Sequence, residues 1–164
     1  MTRDAAGLTR VPYETKYARE VISWPRDARE LAMWTSRRER PTEETLRAWS
    51  ETAGGEAFVF LQDGVPCAYA ELWEEPDDDE AEVARVIVAP SHRRRGVARA
   101  VVGSLAEEAR SRGYGNVVLR VVPENEGAIA CYGQAGFVRA SEELAAILNE
   151  GQPQRYVWMS YAGV

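Results

Sequence analysis

Residues 86–98 read VIVAPSHRRRGVA: an apolar run of β type, a proline stop, three arginines in a row, one glycine, then the start of an amphipathic helix. A strand that ends in a tight turn before a helix leaves the first helical N–H groups without internal partners. Those donors and the positive end of the helix dipole favour a phosphate group. Arg93, Arg94 and Arg95 add charge at the same point. Gly96, with no Cβ, lets the main chain come close to a ligand. Arg93, Arg94, Arg95, Gly96, Val97 and Ala98 are therefore expected to capture a phosphate-bearing molecule.

Two further groups flank this turn. Downstream, Asn125 is placed to cap a short helix, and Tyr132 follows two turns later on nearly the same face. Upstream, Glu82 shares strand parity with Ala84, Val86 and Val88, so it can face the same cleft unless a bulge intervenes. A phenol and a carboxylate beside an anion cradle are suited to proton transfer.

Positioning these groups requires an alternating framework. Residues 1–12 are expected to be a loose leader, and residues 17–24 a first strand. Residues 27–34 and 42–49 predict short helices. Residues 57–61 and 65–73 predict a hairpin joined by Gln62-Asp63-Gly64, whose Asp-Gly pair suits a tight turn. The stretch EEPDDDE (residues 74–80) predicts a charged loop, and residues 82–89 the fourth strand. The next helix has the clearest periodicity: Val97, Ala98, Val101, Val102, Leu105, Ala106 and Ala109 form one apolar stripe. Gly113 is placed to end it. Residues 117–122 then predict a fifth strand. A helix capped by Asn125 runs to about Ala135, and residues 137–140 and 155–161 predict the last strands. The expected fold is one α/β (α+β) domain over residues 1–164.

Bulk properties narrow the function. The chain of 164 residues carries 20 basic and 26 acidic residues, a formal net charge of −6. That balance argues against a nucleic-acid partner, and a local arginine cluster on an acidic background suits a specific phosphate ligand. Two cysteines, Cys67 and Cys131, make no disulfide framework and are expected to be small buried fillers; the single histidine, His92, makes a histidine metal cluster impossible. No metal-ligand spacing is present, so no metal is expected; the polar N-terminal residues and the lack of a long apolar run predict no membrane partner, and a cytoplasmic location is expected. No nucleotide-hydrolase loop, dinucleotide fingerprint or calcium loop is present.

The turn Arg93-x-x-Gly96-x-Ala98 resembles the R/Q-x-x-G-x-G/A signature of the GNAT superfamily of N-acetyltransferases. Residues 125–137, NEGAIACYGQAGF, match its second motif, N-x-x-A-x-x-x-Y-x-x-x-G-F, with one helix and one strand between the two. The resemblance covers residues 57–137. It implies a mixed, mostly antiparallel sheet flanked by helices and splayed between the fourth and fifth strands. It also implies acetyl-CoA as co-substrate, with the diphosphate on the turn and the pantetheine arm along Val86, Ile87 and Val88. Asn125 and Ala128 would lie beside that arm, and Tyr132 would protonate the departing thiolate. The Val88 N–H would polarise the thioester carbonyl. Ala98 stands where many members have glycine.

The expected reaction is acetyl transfer to a primary amine by direct attack in a ternary complex. A phenol near pKa 10 can protonate a thiolate near pKa 8.5 at modest cost. Freeing the lone pair of an alkyl amine at pH 7 costs about 4.6 kcal/mol, against about 1 kcal/mol for an α-amino group. Glu82 is the candidate base. The early helices, which carry Trp34 and Trp49, would wall the acceptor side, and the acidic stretch 74–82 could attract a cationic acceptor. A small-molecule or peptide amine is the expected partner, and a homodimer is compatible. Alternatives are another acyl chain or acceptor, or a CoA-binding sensor without catalysis.

Overall fold

A computed structural model describes residues 2–3 and 6–163. Eight strands form one sheet: β1 (Thr2–Arg3), β2 (Thr9–Pro12), β3 (Gly55–Gln62), β4 (Val65–Glu75), β5 (Glu80–Val88), β6 (Asn116–Val121), β7 (Phe137–Arg139) and β8 (Val157–Tyr161). Their spatial order is β1-β2-β3-β4-β5-β6-β8-β7, and every pair is antiparallel except β5 with β6. Six helices cover it: α1 (Ala18–Ser23), α2 (Ala28–Thr35), α3 (Glu43–Ser50), α4 (Val97–Ser111), α5 (Glu126–Gln134) and α6 (Glu142–Asn149). The mixed, mostly antiparallel sheet flanked by helices is the expected fold class. Among the described residues no helix is long and apolar enough to cross a membrane.

Two cores sit on opposite faces. The α4 stripe of Val97, Val101, Val102, Leu105, Ala106 and Ala109 packs on Ala68, Ala70, Leu72, Val83 and Leu119. On the other face Val21, Leu31, Trp34, Leu46 and Trp49 from α1, α2 and α3 pack on Val59, Tyr69 and Ile87. A smaller cluster joins Val118, Tyr156 and Trp158 to Ala145 and Leu148 of α6. The β3–β4 hairpin turns through Asp63 and Gly64, both at positive φ (51° and 78°), as the Asp-Gly pair predicted.

Four expectations need correction. Residues 17–24 form no strand but a short turn at Thr15–Tyr17 and helix α1. Ala18 and Val21, three apart, are fully buried there, so the helical spacing prevails over the apparent alternation. The leader is partly ordered, because Thr9–Pro12 pairs with β3. Its polar residues disguise a strand; Arg10 bonds Glu108 and Ser104 and stacks over Phe58. Residues 1, 4 and 5 of that leader lie outside the described residues. The charged stretch 74–80 is mostly hairpin, since Glu75 pairs with Glu80 around one tight turn at Pro76–Asp78. Finally, α6 is an element the sequence reading omitted. Ser141 caps it by accepting from the Leu144 N–H, and two glutamates occupy its first turn.

The splay is as expected. β5 pairs with β6 only at Glu80–Asn116, Ala81–Val117 and Glu82–Val118, after which the strands part. A bulge drives the change in β5. Tyr69 pairs with Ile87 and Glu71 with Ala84, so Arg85 and Val86 together oppose Ala70. Arg85 takes a left-handed backbone, φ 47°, a conformation that costs roughly 1–2 kcal/mol outside glycine. The bulge breaks the parity predicted for Glu82. Val86 and Val88 now lie on the α4 face with Val83, whereas Glu82 and Ala84 stay on the face of α1–α3.

Candidate active site

The splay opens a cavity of about 680 Å³ between β5 and β6, roofed by the start of α4, by α5 and by α2. At one end lies the arginine-glycine turn. Arg94 (φ 60°) and Gly96 (φ 79°) both adopt left-handed backbone. Among the described residues, the N–H groups of Arg94, Arg95, Gly96, Val97 and Ala98 donate to no protein oxygen. Successive amides with alternating backbone hand form a concave nest that suits an anion. Nothing lies within 4 Å of a Cβ built on Gly96, so the space above the turn is open. Open donors, open space and a helix N-terminus fit a diphosphate.

The three arginines do different things. Arg93 turns away from the cradle. Its Nε donates to the Val88 carbonyl at 3.0 Å, one Nη to Glu30 at 2.8 Å and the other to the Trp24 carbonyl at 3.1 Å. It therefore ties α1 and α2 to the end of β5. Arg94 lines the cavity, while Arg95 is exposed and outside the lining. Glu30 also accepts from Arg26. Burial pushes the Glu30 carboxyl up, but the bonds from Arg26 and Arg93 outweigh it and hold it at about 2.

Main-chain groups of β5 face the slot. The Ala89 N–H donates to the Cys67 carbonyl across to β4. By alternation, the N–H and C=O of Val86 and Val88 point away from β4 toward the gap. The Val88 carbonyl is taken by Arg93, which leaves its N–H open.

On the far wall stands α5. Asn125 caps it by accepting from the Ala128 N–H at 3.2 Å, and among the described residues its amide NH₂ has no partner. Asn125, Ala128 and Tyr132 all line the cavity. Burial, with a smaller contribution from Cys131, pushes the Tyr132 phenol above its ordinary value of about 10, so it stays protonated. Burial likewise raises the half-buried Cys131 thiol.

The remaining end is rich in aromatic and arginine groups that the sequence reading did not single out. Glu82 is buried, and both its oxygens accept from Arg120, at 2.6 and 2.9 Å. Arg120 also bonds Gln152 and lies over Trp73, Tyr156 and Trp158. Arg85 lies 3.8 Å from the Trp49 ring centroid and pairs with Glu71. A lone arginine inside each of two apolar strands, AEVARVIV and NVVLRV, was the available signal for both residues. His92 also lines the cavity, with Ser91 on its Nδ1. The cavity thus gathers Glu82, Val86, Ile87, Val88, Arg93, Arg94, Gly96, Val97, Ala98, Asn125, Ala128 and Tyr132, leaving out Arg95 alone of the candidates.

Residues 18–137 match the acetyltransferase (GNAT) family. N-acetyltransferase 8 of Rattus norvegicus is 33% identical over 70 residues, 43% of this chain, and the chain spans only 32% of that relative's length. Among solved structures, AAC(6')-Ib in complex with ribostamycin and coenzyme A superposes with a TM-score of 0.74 at 18% identity, covering 94% of this chain and 92% of that one. Spermidine N-acetyltransferase from Vibrio cholerae, in complex with CoA and spermine, gives 0.71 at 20% identity over 82% of each chain.

Proposed function

The chain belongs to the acetyltransferase (GNAT) family, and from that premise we propose that it moves an acetyl group from acetyl-CoA to a primary amine by direct attack in a ternary complex. The observation that carries this reading is the row of five amides, Arg94 to Ala98, unpartnered among the described residues and opening into a slot lined by a neutral, partly buried phenol, that of Tyr132. Acetyl-CoA supplies the thioester, whose C–S bond breaks as the amine's C–N bond forms. The amides of the turn hold the diphosphate. The Val86 and Val88 main chain aligns the pantetheine arm along β5, and the Val88 N–H polarises the carbonyl.

Tyr132 gives its proton to the departing thiolate. The desolvation that holds the phenol neutral also raises the thiolate's own demand for a proton. Glu82 takes the proton released by the amine, through a water. Its two oxygens keep acceptor directions beyond those Arg120 occupies. Arg120 holds the carboxylate in one orientation.

The test is release of free thiol from acetyl-CoA across a panel of amines, with mass analysis of the acceptor. Amine-dependent thiol release with one acetyl group gained by the acceptor supports the proposal. CoA binding without release for any amine would favour a sensor role instead.

A further inference from the structure

Arg85 takes no part in holding the thioester, yet three elements combine to fix it. It occupies the left-handed bulge position of β5, and Trp34 of α2 donates its indole N–H to the Arg85 carbonyl at 2.9 Å. The guanidinium lies between Trp49 of α3 and Trp73 of β4, with centroid distances of 3.8 and 5.0 Å. One nitrogen, Nη1, donates to both oxygens of Glu71, at 3.0 and 3.2 Å. Glu71 is fully buried, and the Tyr69 hydroxyl and the Trp73 indole N–H hold it in turn. Backbone strain maintained by this much surrounding structure marks a position with work to do.

Among the described residues, Nε and Nη2 of Arg85 have no hydrogen-bond partner. They are not sealed away. Among the described residues the sole buried side-chain polar atom lacking a partner is the Tyr13 hydroxyl, and Arg85 lines the cavity. Those two nitrogens carry parallel N–H bonds along one edge of the guanidinium, the geometry that grips a carboxylate through two bonds.

The charges around the cavity point the same way. Its lining includes four arginines, Arg85, Arg93, Arg94 and Arg120, but only two carboxylates, Glu30 and Glu82. Glu30 is answered by Arg26 and Arg93, and Glu82 by Arg120. No lining carboxylate is left over for the second ammonium group of a polyamine. The acidic stretch before β5 does not supply one either: Glu74 pairs with Arg112, and none of Glu74, Glu75, Asp77, Asp78, Asp79 or Glu80 lines the cavity.

Building on the acetyl transfer proposed above, we propose that the acceptor is an amine that also carries a carboxylate, an amino-acid-type molecule, and that Nε and Nη2 of Arg85 bind that carboxylate. Arg85 is then the residue that sets acceptor specificity.

The test compares free L-amino acids with their own amides, and with spermidine, as acceptors in acetyl-CoA turnover. The expected kcat/KM ratio of acid to amide is about 30-fold or more, the consequence of losing a charge-assisted pair of bonds. In Arg85→Gln that ratio falls to near one, and in Arg85→Lys it lies between, because lysine keeps the charge but not the paired donors. Amides or spermidine turned over as well as acids by the natural protein would overturn this inference while leaving acetyl transfer standing. A preference for acids that survives Arg85→Gln would overturn the assignment to Arg85. Absence of turnover with every amine would overturn both proposals.

Discussion

In the proposed reaction Tyr132 and Glu82 divide the proton traffic by their surroundings. The phenol lines the cavity with burial holding it neutral, whereas the carboxylate is fixed by two bonds from Arg120. Tyr132→Phe keeps the ring and removes the proton. It is expected to lower kcat about a hundredfold, the usual worth of a positioned general acid, with acetyl-CoA affinity within about twofold of the natural protein because the diphosphate contacts are untouched. Single-turnover kinetics beside a binding titration would check both; an unaltered kcat would remove Tyr132 from the proton path. At this scale the sequence was informative where a motif fixed the residue. Asn125 does cap α5, and Tyr132 does reach the slot. It was uninformative about side-chain direction. Nothing local says that Arg93 turns back to Val88 and Glu30 rather than toward a ligand, because Glu30 and the Trp24 carbonyl lie 63 and 69 residues away in sequence.

Among the elements, β5 governs the site. Its pairing with β6 fails after Glu82, its bulge at Arg85 re-aims every later side chain, and its end is anchored by Arg93 to α1 and α2. The splay was legible through the motifs it separates. The bulge was not, because AEVARVIV reads as plain alternation and only the pairing with β4 reveals the extra residue. Helix α1 was misread for a similar reason: six residues offer too few repeats to separate a period of 2 from one of 3.6. The Arg93–Glu30–Arg26 link makes an acid-dependence prediction. The Glu30 carboxyl lies at about 2 in the folded chain against an ordinary 4.5. A depressed folded value stabilises the fold above the ordinary value, and that stabilisation is lost as pH falls from about 4.5 toward 2. Glu30→Gln should therefore unfold at lower denaturant than the natural protein at pH 7, with the difference shrinking below pH 4.5 and nearly gone by pH 2. Urea titrations followed by circular dichroism would measure this, and a difference independent of pH would contradict it.

For the molecule as a whole, two cores on opposite faces of one sheet leave an opening where the strands part, and in the proposed reaction both substrates meet there. One entrance is lined by amides awaiting an anion. The other is walled by Trp34, Trp73 and Tyr156 and carries Arg85 and Arg120. The overall architecture was readable because the β5–α4–β6–α5 segment carries strong periodicity and two spaced motifs. The acceptor wall was not, since α6 and the Gln152 region come together with Arg120 only through tertiary contact. The central claim is the amide cradle. Isothermal titration of acetyl-CoA, and of acetyl-pantetheine lacking the diphosphate, into the natural protein and into Gly96→Val tests it most directly. Saturable binding of acetyl-CoA that weakens at least about tenfold in the variant, with acetyl-pantetheine weak and alike for both proteins, is the predicted result. Equal acetyl-CoA affinity in the two proteins, or none in the natural one, would contradict it.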